Sequence, residues 1–318
     1  MRALLTLAAG CLLCACTASE GAMDMVEEAR ARNDGPAIWV VEDADSTLYL
    51  YGSLHIVPVG LDWQRPDLWE AFERAGTVWL EVPDSDDART RSDRLTRSRG
   101  YQPLGGSLSA DFDDYERKLL EVAALESDIP LEVLDTLQPW LANQLLVLAA
   151  AEESGLTASL SPESAIGSRA RRTSKFVDYL DTVDSQIAMA ADAPADEQRA
   201  ALRQTLEGYN RIGQDLDDIA REWVEGDVET LEARLAGTIA GAPRERIMEA
   251  RNARWAETFA DWMDGSGTGL AVVGVGHLVG EDSLPEMLAE RGLNVRRHFA
   301  YQGENVIRTI DLDIDGGS

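Results

Sequence analysis

Two histidines in this chain, His55 and His277, occupy the same local setting. Each ends a Gly-x-x-His that follows an apolar run, Tyr49-Leu50-Tyr51-Gly52-Ser53-Leu54-His55 and Ala271-Val272-Val273-Gly274-Val275-Gly276-His277. The chain has 3 histidines in all, so a repeated context points to one shared site more than to packing. An imidazole binds a divalent transition metal through one ring nitrogen, and a carboxylate commonly completes a two-histidine set. Glu81, at the end of the apolar run Thr77-Val78-Trp79-Leu80, is the carboxylate placed to do so. A glycine ahead of each histidine lets the backbone turn and leaves space for an ion or substrate. Singly, each residue also has a plain structural reading, a hydrogen-bonded core histidine or a salt-bridged glutamate. Together they suit a site that holds a divalent ion and its bound water. Ligand and general-base roles for Glu81 both remain open at this level, because each needs a carboxylate close to that water.

The elements that must position these residues are legible from pattern. Ile38-Trp39-Val40-Val41 and Leu48-Tyr49-Leu50-Tyr51, separated by Asp43-Ala44-Asp45-Ser46, read as a hairpin. Asp67 to Ala75 reads as a short helix closed by Gly76, and residues 77–82 as a buried strand ended by Pro83. Helical spacing marks Asp111 to Glu126 and Pro139 to Glu153, the latter with proline in its first turn. Lys175 to Leu180 is a candidate strand. A helical region of about 184–265 follows, in pieces at Asp184 to Ala191, Asp196 to Trp223, Val228 to Ala236 and Pro243 to Met263. The end of the chain returns to strand Gly269 to Val275, helix Ser283 to Arg291 and strand Val295 to Tyr301, with Ser283 and Glu286 in capping-box positions. The fold expected is α/β: a mixed central sheet built from two related β-loop-α-β halves, with a helical middle region. Both histidines and Glu81 then fall at strand ends, where loops of such a sheet form a crevice. The segment Asp84 to Asp93 reads as an acidic loop.

Composition narrows the function classes. The chain of 318 residues, 45% hydrophobic, can bury a full core. Its 57 acidic against 29 basic residues give a formal net charge of −28, which repels phosphate backbones, so nucleic acid is not an expected partner. The basic cluster at Arg169 to Arg172 reads as a solvated helix face. Met1-Arg2 and the apolar run Ala3 to Cys14 have the layout of a secretory signal, too short to span a bilayer. The run ends in Leu13-Cys14-Ala15-Cys16, which resembles a bacterial lipobox. Residues 1–15 are thus expected to be a lipoprotein signal peptide, Cys16 the lipidated residue, 16–36 a tether, and 37–318 a single domain. All 3 cysteines lie in the leader, so the domain has no disulfide available to it. The expected location is the bacterial cell envelope, lipid-anchored and facing the periplasm.

Over most of the mature chain the sequence resembles the TraB/GumN family, which includes the Tiki-type membrane-tethered metalloproteases. The resemblance rests on Tyr51-Gly52-Ser53-Leu54-His55, Trp79-Leu80-Glu81-Val82, Gln138-Pro139-Trp140, Arg251-Asn252 and, most specifically, Val273-Gly274-Val275-Gly276-His277-Leu278-Val279-Gly280. It implies that His55, His277 and Glu81 hold a divalent transition metal of manganese, cobalt or zinc type, with Glu81 also catalytic. Arg251 would stabilise developing charge, with Asn252 beside it. At Leu180-Asp181-Thr182 relatives typically carry Leu-Glu-Thr; Asp181, one methylene shorter, is a possible further member. The function expected is a metal-dependent, peptidase-like hydrolase acting on an unknown peptide or small-molecule substrate. A non-catalytic metal- or ligand-binding envelope lipoprotein is the alternative. Asp311-Leu312-Asp313-Ile314-Asp315-Gly316 begins like a calcium loop but lacks its closing glutamate, and reads as a solvated tail.

Overall fold

The computed structural model describes residues 35–238 and 245–298. The leader, Cys16, nearly all of the tether and the acidic tail lie outside the described residues.

The hairpin forms as its pattern requires. Strands β1 (Ile38–Glu42) and β2 (Ser46–Ser53) pair antiparallel, with Asp43 Oδ1 accepting from the amides of Asp45 and Ser46 to hold the turn. A short antiparallel ribbon joins β3 (Val57–Pro58) to β5 (Leu156–Thr157). The remaining strands are β4 (Thr77–Leu80), β6 (Phe176–Tyr179), β7 (Gly267–Gly274) and β8 (Asn294–His298). Among the described residues the main sheet is six-stranded, in the order β6-β4-β7-β2-β1-β8. Every neighbouring pair is parallel except those that include β1. The fold is therefore α/β with a mixed sheet.

Connections leaving β2 and β7 run in opposite directions. From β2 the chain passes through helix α1 (Pro66–Arg74) and over β7 to reach β4. From β7 it passes through α12 (Leu284–Ala289) and beyond β2 and β1 to reach β8. The two central strands thus flank a reversal of strand order, and the carboxyl ends of strands at such a reversal are where sheets of this kind place their ligand sites. Both Gly-x-x-His segments begin there, one residue out of register: Gly52 pairs with Val273, and Ser53 with Gly274.

Helices supply the rest. They are α2 (Asp86–Arg99), α3 (Asp114–Glu126), α4 (Leu131–Leu134), α5 (Pro139–Glu153), α6 (Pro162–Arg172), α7 (Val183–Ala191), α8 (Ala195–Gly208), α9 (Ile212–Glu225), α10 (Val228–Thr238) and α11 (Ala250–Met263). A π-helical turn, Glu245–Glu249, leads into α11. Two sequence expectations change. The acidic segment from Asp84 is mostly helix α2, capped by Ser85 and burying only Ala88, so it has no apolar periodicity to betray it. The long helix expected over 196–223 is instead α8 and α9, separated by a tight turn at Tyr209–Arg211.

Apolar burial divides in two. Sheet residues such as Leu48, Leu50, Val78 and Val272 pack with Phe72, Trp223, Trp255 and Phe259 in one cluster. Leu120, Leu134, Leu146, Leu202 and Tyr209 form another, wholly within the helical lobe built from α3, α4, α5 and α8.

Candidate metal-binding and catalytic site

Nearly every residue singled out above meets at the carboxyl ends of β2, β4 and β7. Glu81 follows β4 directly and its side chain is 4% exposed. Its Oε1 accepts from the Gly274 amide at 2.7 Å and lies 3.9 Å from His55 Nε2, while Oε2 accepts from Arg251. Burial works against the charged carboxylate, yet His55, His277, Arg251 and the Gly274 amide together hold its pKa down at about 2. Glu81 is thus an anion at any physiological pH and a weak base.

Arg251 and Asn252 come from the first turn of α11. The guanidinium uses all three nitrogens: Nε donates to Asp181 at 2.7 Å, one terminal nitrogen to His277 Nε2 at 2.9 Å, and the other to Glu81. Four residues on, at helical spacing, the Trp255 ring lies 4.5 Å beneath the guanidinium carbon and 4.4 Å from the His277 ring. Asn252 donates to the carbonyl of Asp282 at 2.8 Å, which orients its amide so that the oxygen accepts from His277 Nδ1 at 2.6 Å. His277 is therefore the Nδ1–H tautomer, with its Nε2 lone pair turned to Arg251. Burial, with Arg251 and His55 adding to it against Glu81, depresses its pKa to about 3, so the ring is neutral.

Asp181 reaches the site through Arg251. Its two oxygens take Arg251 and, at 2.7 Å, Arg254. It acts through Arg251, and its shorter side chain fits that place because backbone pairing of Asp181 with Glu81, 2.7 Å, brings the strand end close.

His55 lies on the open side, its side chain 61% exposed. Nδ1 meets Glu163 Oε1 at 2.8 Å, and that same oxygen accepts from the Ser53 hydroxyl. The protein around the ring disfavours its charged form, but the Glu163 bond and the charges of Glu163 and Glu81 prevail and raise its pKa to about 9. Glu163 was not singled out from sequence. It sits in the first turn of α6, in Ser161-Pro162-Glu163, and the Ser161 cap and Pro162 announce a helix start, where an acidic residue is ordinary.

His55, Glu81 and Glu163 each offer one ligand atom, all within 4.8 Å of one another, a set that can hold a metal ion. Among the described residues, one oxygen of Glu163 is buried without a hydrogen-bond partner. A methyl group placed at Gly274 would lie 3.3 Å from Glu81 Oε1, 3.4 Å from His55 Nε2 and 3.8 Å from His277 Cδ2, so His277 borders this space with a ring carbon while its two nitrogens face Arg251 and Asn252. His298 lies apart, on β8 beside Asp67 at 3.3 Å.

The fold and site define an α/β protein with a histidine–carboxylate centre at the reversal point of its sheet. The model of the TraB/PrgY/gumN family matches residues 37–297, and the chain belongs to that family. It is similar to the uncharacterized protein YbaP of Escherichia coli (strain K12), 26% identical over 255 residues that cover 80% of this chain and 92% of the relative. Its likeness to YbaP of Shigella flexneri has the same extent. No solved structure matches it.

Proposed function

We propose that the protein is a metal-dependent hydrolase of the bacterial cell envelope, peptidase-like, anchored by lipid at Cys16 and facing the periplasm. The observation that carries this reading is that one ligand atom from each of His55, Glu81 and Glu163 lies within 4.8 Å of the others. These three residues would hold a divalent ion of manganese, cobalt or zinc type, which supplies Lewis acidity and a more acidic water when bound. Glu81, charged and gripped by Arg251 and the Gly274 amide, suits a ligand better than a general base. Glu163 is the carboxylate nearer the open side. Arg251 is a positioning residue here, because each of its nitrogens is already engaged. A ligand role for His277 requires its contact with Arg251 to open. Otherwise His277 and Asn252 fix Arg251, which in turn fixes Glu81.

The second reading, a non-catalytic metal- or ligand-binding envelope lipoprotein, is favoured by that same mutual saturation of the buried groups. Metal analysis of protein purified without chelators separates the possibilities when paired with cleavage of a peptide and ester library. The hydrolase retains metal and cleaves only with it, His55→Ala and Glu163→Ala lose the metal, and His277→Ala loses turnover while keeping most of its thermal stability. Metal retained with no cleavage supports the binding protein. No retention by the parent, with variants indistinguishable from it, overturns both.

A further inference from the structure

We propose that Ser53 and Tyr51 are positioning residues of the centre: their buried hydroxyls set the Glu163 carboxylate and, through Glu163, the His55 ring. This rests on the metal-site reading above and assigns what holds that site in place. The two Gly-x-x-His segments differ at their second position, Ser53 in one and Val275 in the other, although both residues are buried. The difference follows the partner of each histidine. His277 Nδ1 bonds the Asn252 oxygen, and His55 Nδ1 meets Glu163 Oε1. Asn252 is steadied by its own amide nitrogen, which donates to the Asp282 carbonyl. A carboxylate carries no donor of its own, so its orientation must come from donors around it. Ser53 supplies one, to the same Oε1 that meets His55. Val275, beside a histidine whose partner needs no such help, lies instead close over Gly52.

Tyr51 precedes Ser53 by two residues on β2, so both side chains leave the same face of the strand. Its fully buried ring is fixed against Trp63 and Trp223, with centroids 6.5 Å from each. Among the described residues its hydroxyl has no hydrogen-bond partner, and neither has the second oxygen of Glu163. Burial pushes the phenol well above its ordinary pKa, and the charged groups it faces are Arg65, Glu163 and Asp67. Tyr51 therefore stays a protonated donor in the neighbourhood of a carboxylate that lacks one. A buried hydroxyl without a partner destabilises a fold, and phenylalanine would fill the same space without that cost. A tyrosine here serves the carboxylate rather than the core.

The test titrates metal-free protein with manganese(II) and with zinc(II) and follows its thermal melting in parallel. Ser53→Ala is expected to weaken ion binding by about 10–100-fold, the range for groups that orient metal ligands. Ser53→Thr, which keeps the hydroxyl, is expected to bind close to the parent. Tyr51→Phe is expected to weaken binding while the metal-free melting temperature stays level or rises, a pair of changes that a purely structural hydroxyl would not give. Unchanged affinity in Ser53→Ala or in Tyr51→Phe overturns the role of that hydroxyl. Binding by Ser53→Thr as weak as that of Ser53→Ala does the same for Ser53, and a fall in the metal-free melting temperature of Tyr51→Phe assigns Tyr51 to the scaffold. Failure of the parent itself to bind either ion overturns the metal-site reading, and this inference falls with it; parent binding with unaffected variants overturns the inference alone.

Discussion

Three ionisable side chains of the centre make opposite demands on pH. His277, with a folded pKa of about 3, binds no proton where an unfolded imidazole, at about 6.5, already does, so falling pH across that interval favours unfolding. Glu81 contributes stability that is complete above about 4.5 and lost as pH falls toward about 2. His55 behaves in the other sense: raised to about 9, it stabilises fully below about 6.5 and loses that contribution as pH rises through 9. Thermal stability of metal-free protein is therefore expected to peak near neutral pH and decline on both sides. Melting curves across the range check this, with His277→Asn flattening the acid limb and His55→Asn the alkaline one. Curves that keep their shape in both variants would refute the assigned charge states.

At the level of elements, the close approach of β2 to the 275–277 turn sets the site. A Cβ at Gly52 would come 2.9 Å from Val275 Cγ2 and 3.3 Å from Val275 Cα, and the Gly52 carbonyl accepts from Trp223 Nε1 at 2.8 Å. Gly52→Ala is expected to lower stability by about 1–3 kcal/mol and to weaken metal binding, read by urea denaturation and metal titration. A neutral substitution would mean that the strands can part without consequence. The glycine itself was legible, as were the strands that carry His55, Glu81 and His277, because buried parallel strands read as short apolar runs. Helix α5 matched its expected bounds, Pro139–Glu153, since proline opens it and apolar spacing continues to its end. What stayed hidden was set by tertiary contact: α2 buries almost nothing, the break between α8 and α9 lies within an unbroken amphipathic pattern, and Glu163 resembles any acidic residue in a first helical turn. The convergence of Arg251 on Glu81, Asp181 and His277 spans separations that no local pattern encodes.

Across the whole molecule, the sheet and the helical lobe bury separate apolar clusters, so part of the chain can open without the other. Leu146, fully buried in the lobe, is the test position. Leu146→Ala is expected to reduce hydrogen-exchange protection in α3, α5 and α8 by about 2–5 kcal/mol while leaving amides of β2 and β7 nearly unchanged. Equal loss in both regions would make the molecule a single cooperative unit. The functional centre belongs to the sheet side of this division, with Glu163 supplied by α6, which packs on β4 and β6. A loosened lobe should therefore leave metal affinity close to that of the parent.

Gly274 has an ordinary backbone conformation, φ −55° and ψ 132°, so alanine there meets no conformational penalty of its own. The added methyl would nonetheless occupy the space shared by Glu81, His55 and His277. One carbon atom thus provides a steric plug: Gly274→Ala should give a folded protein that no longer accepts a cation, silenced without the loss of any donor atom. Such a variant, compared with the parent in cells, would separate what the centre does from what the scaffold does.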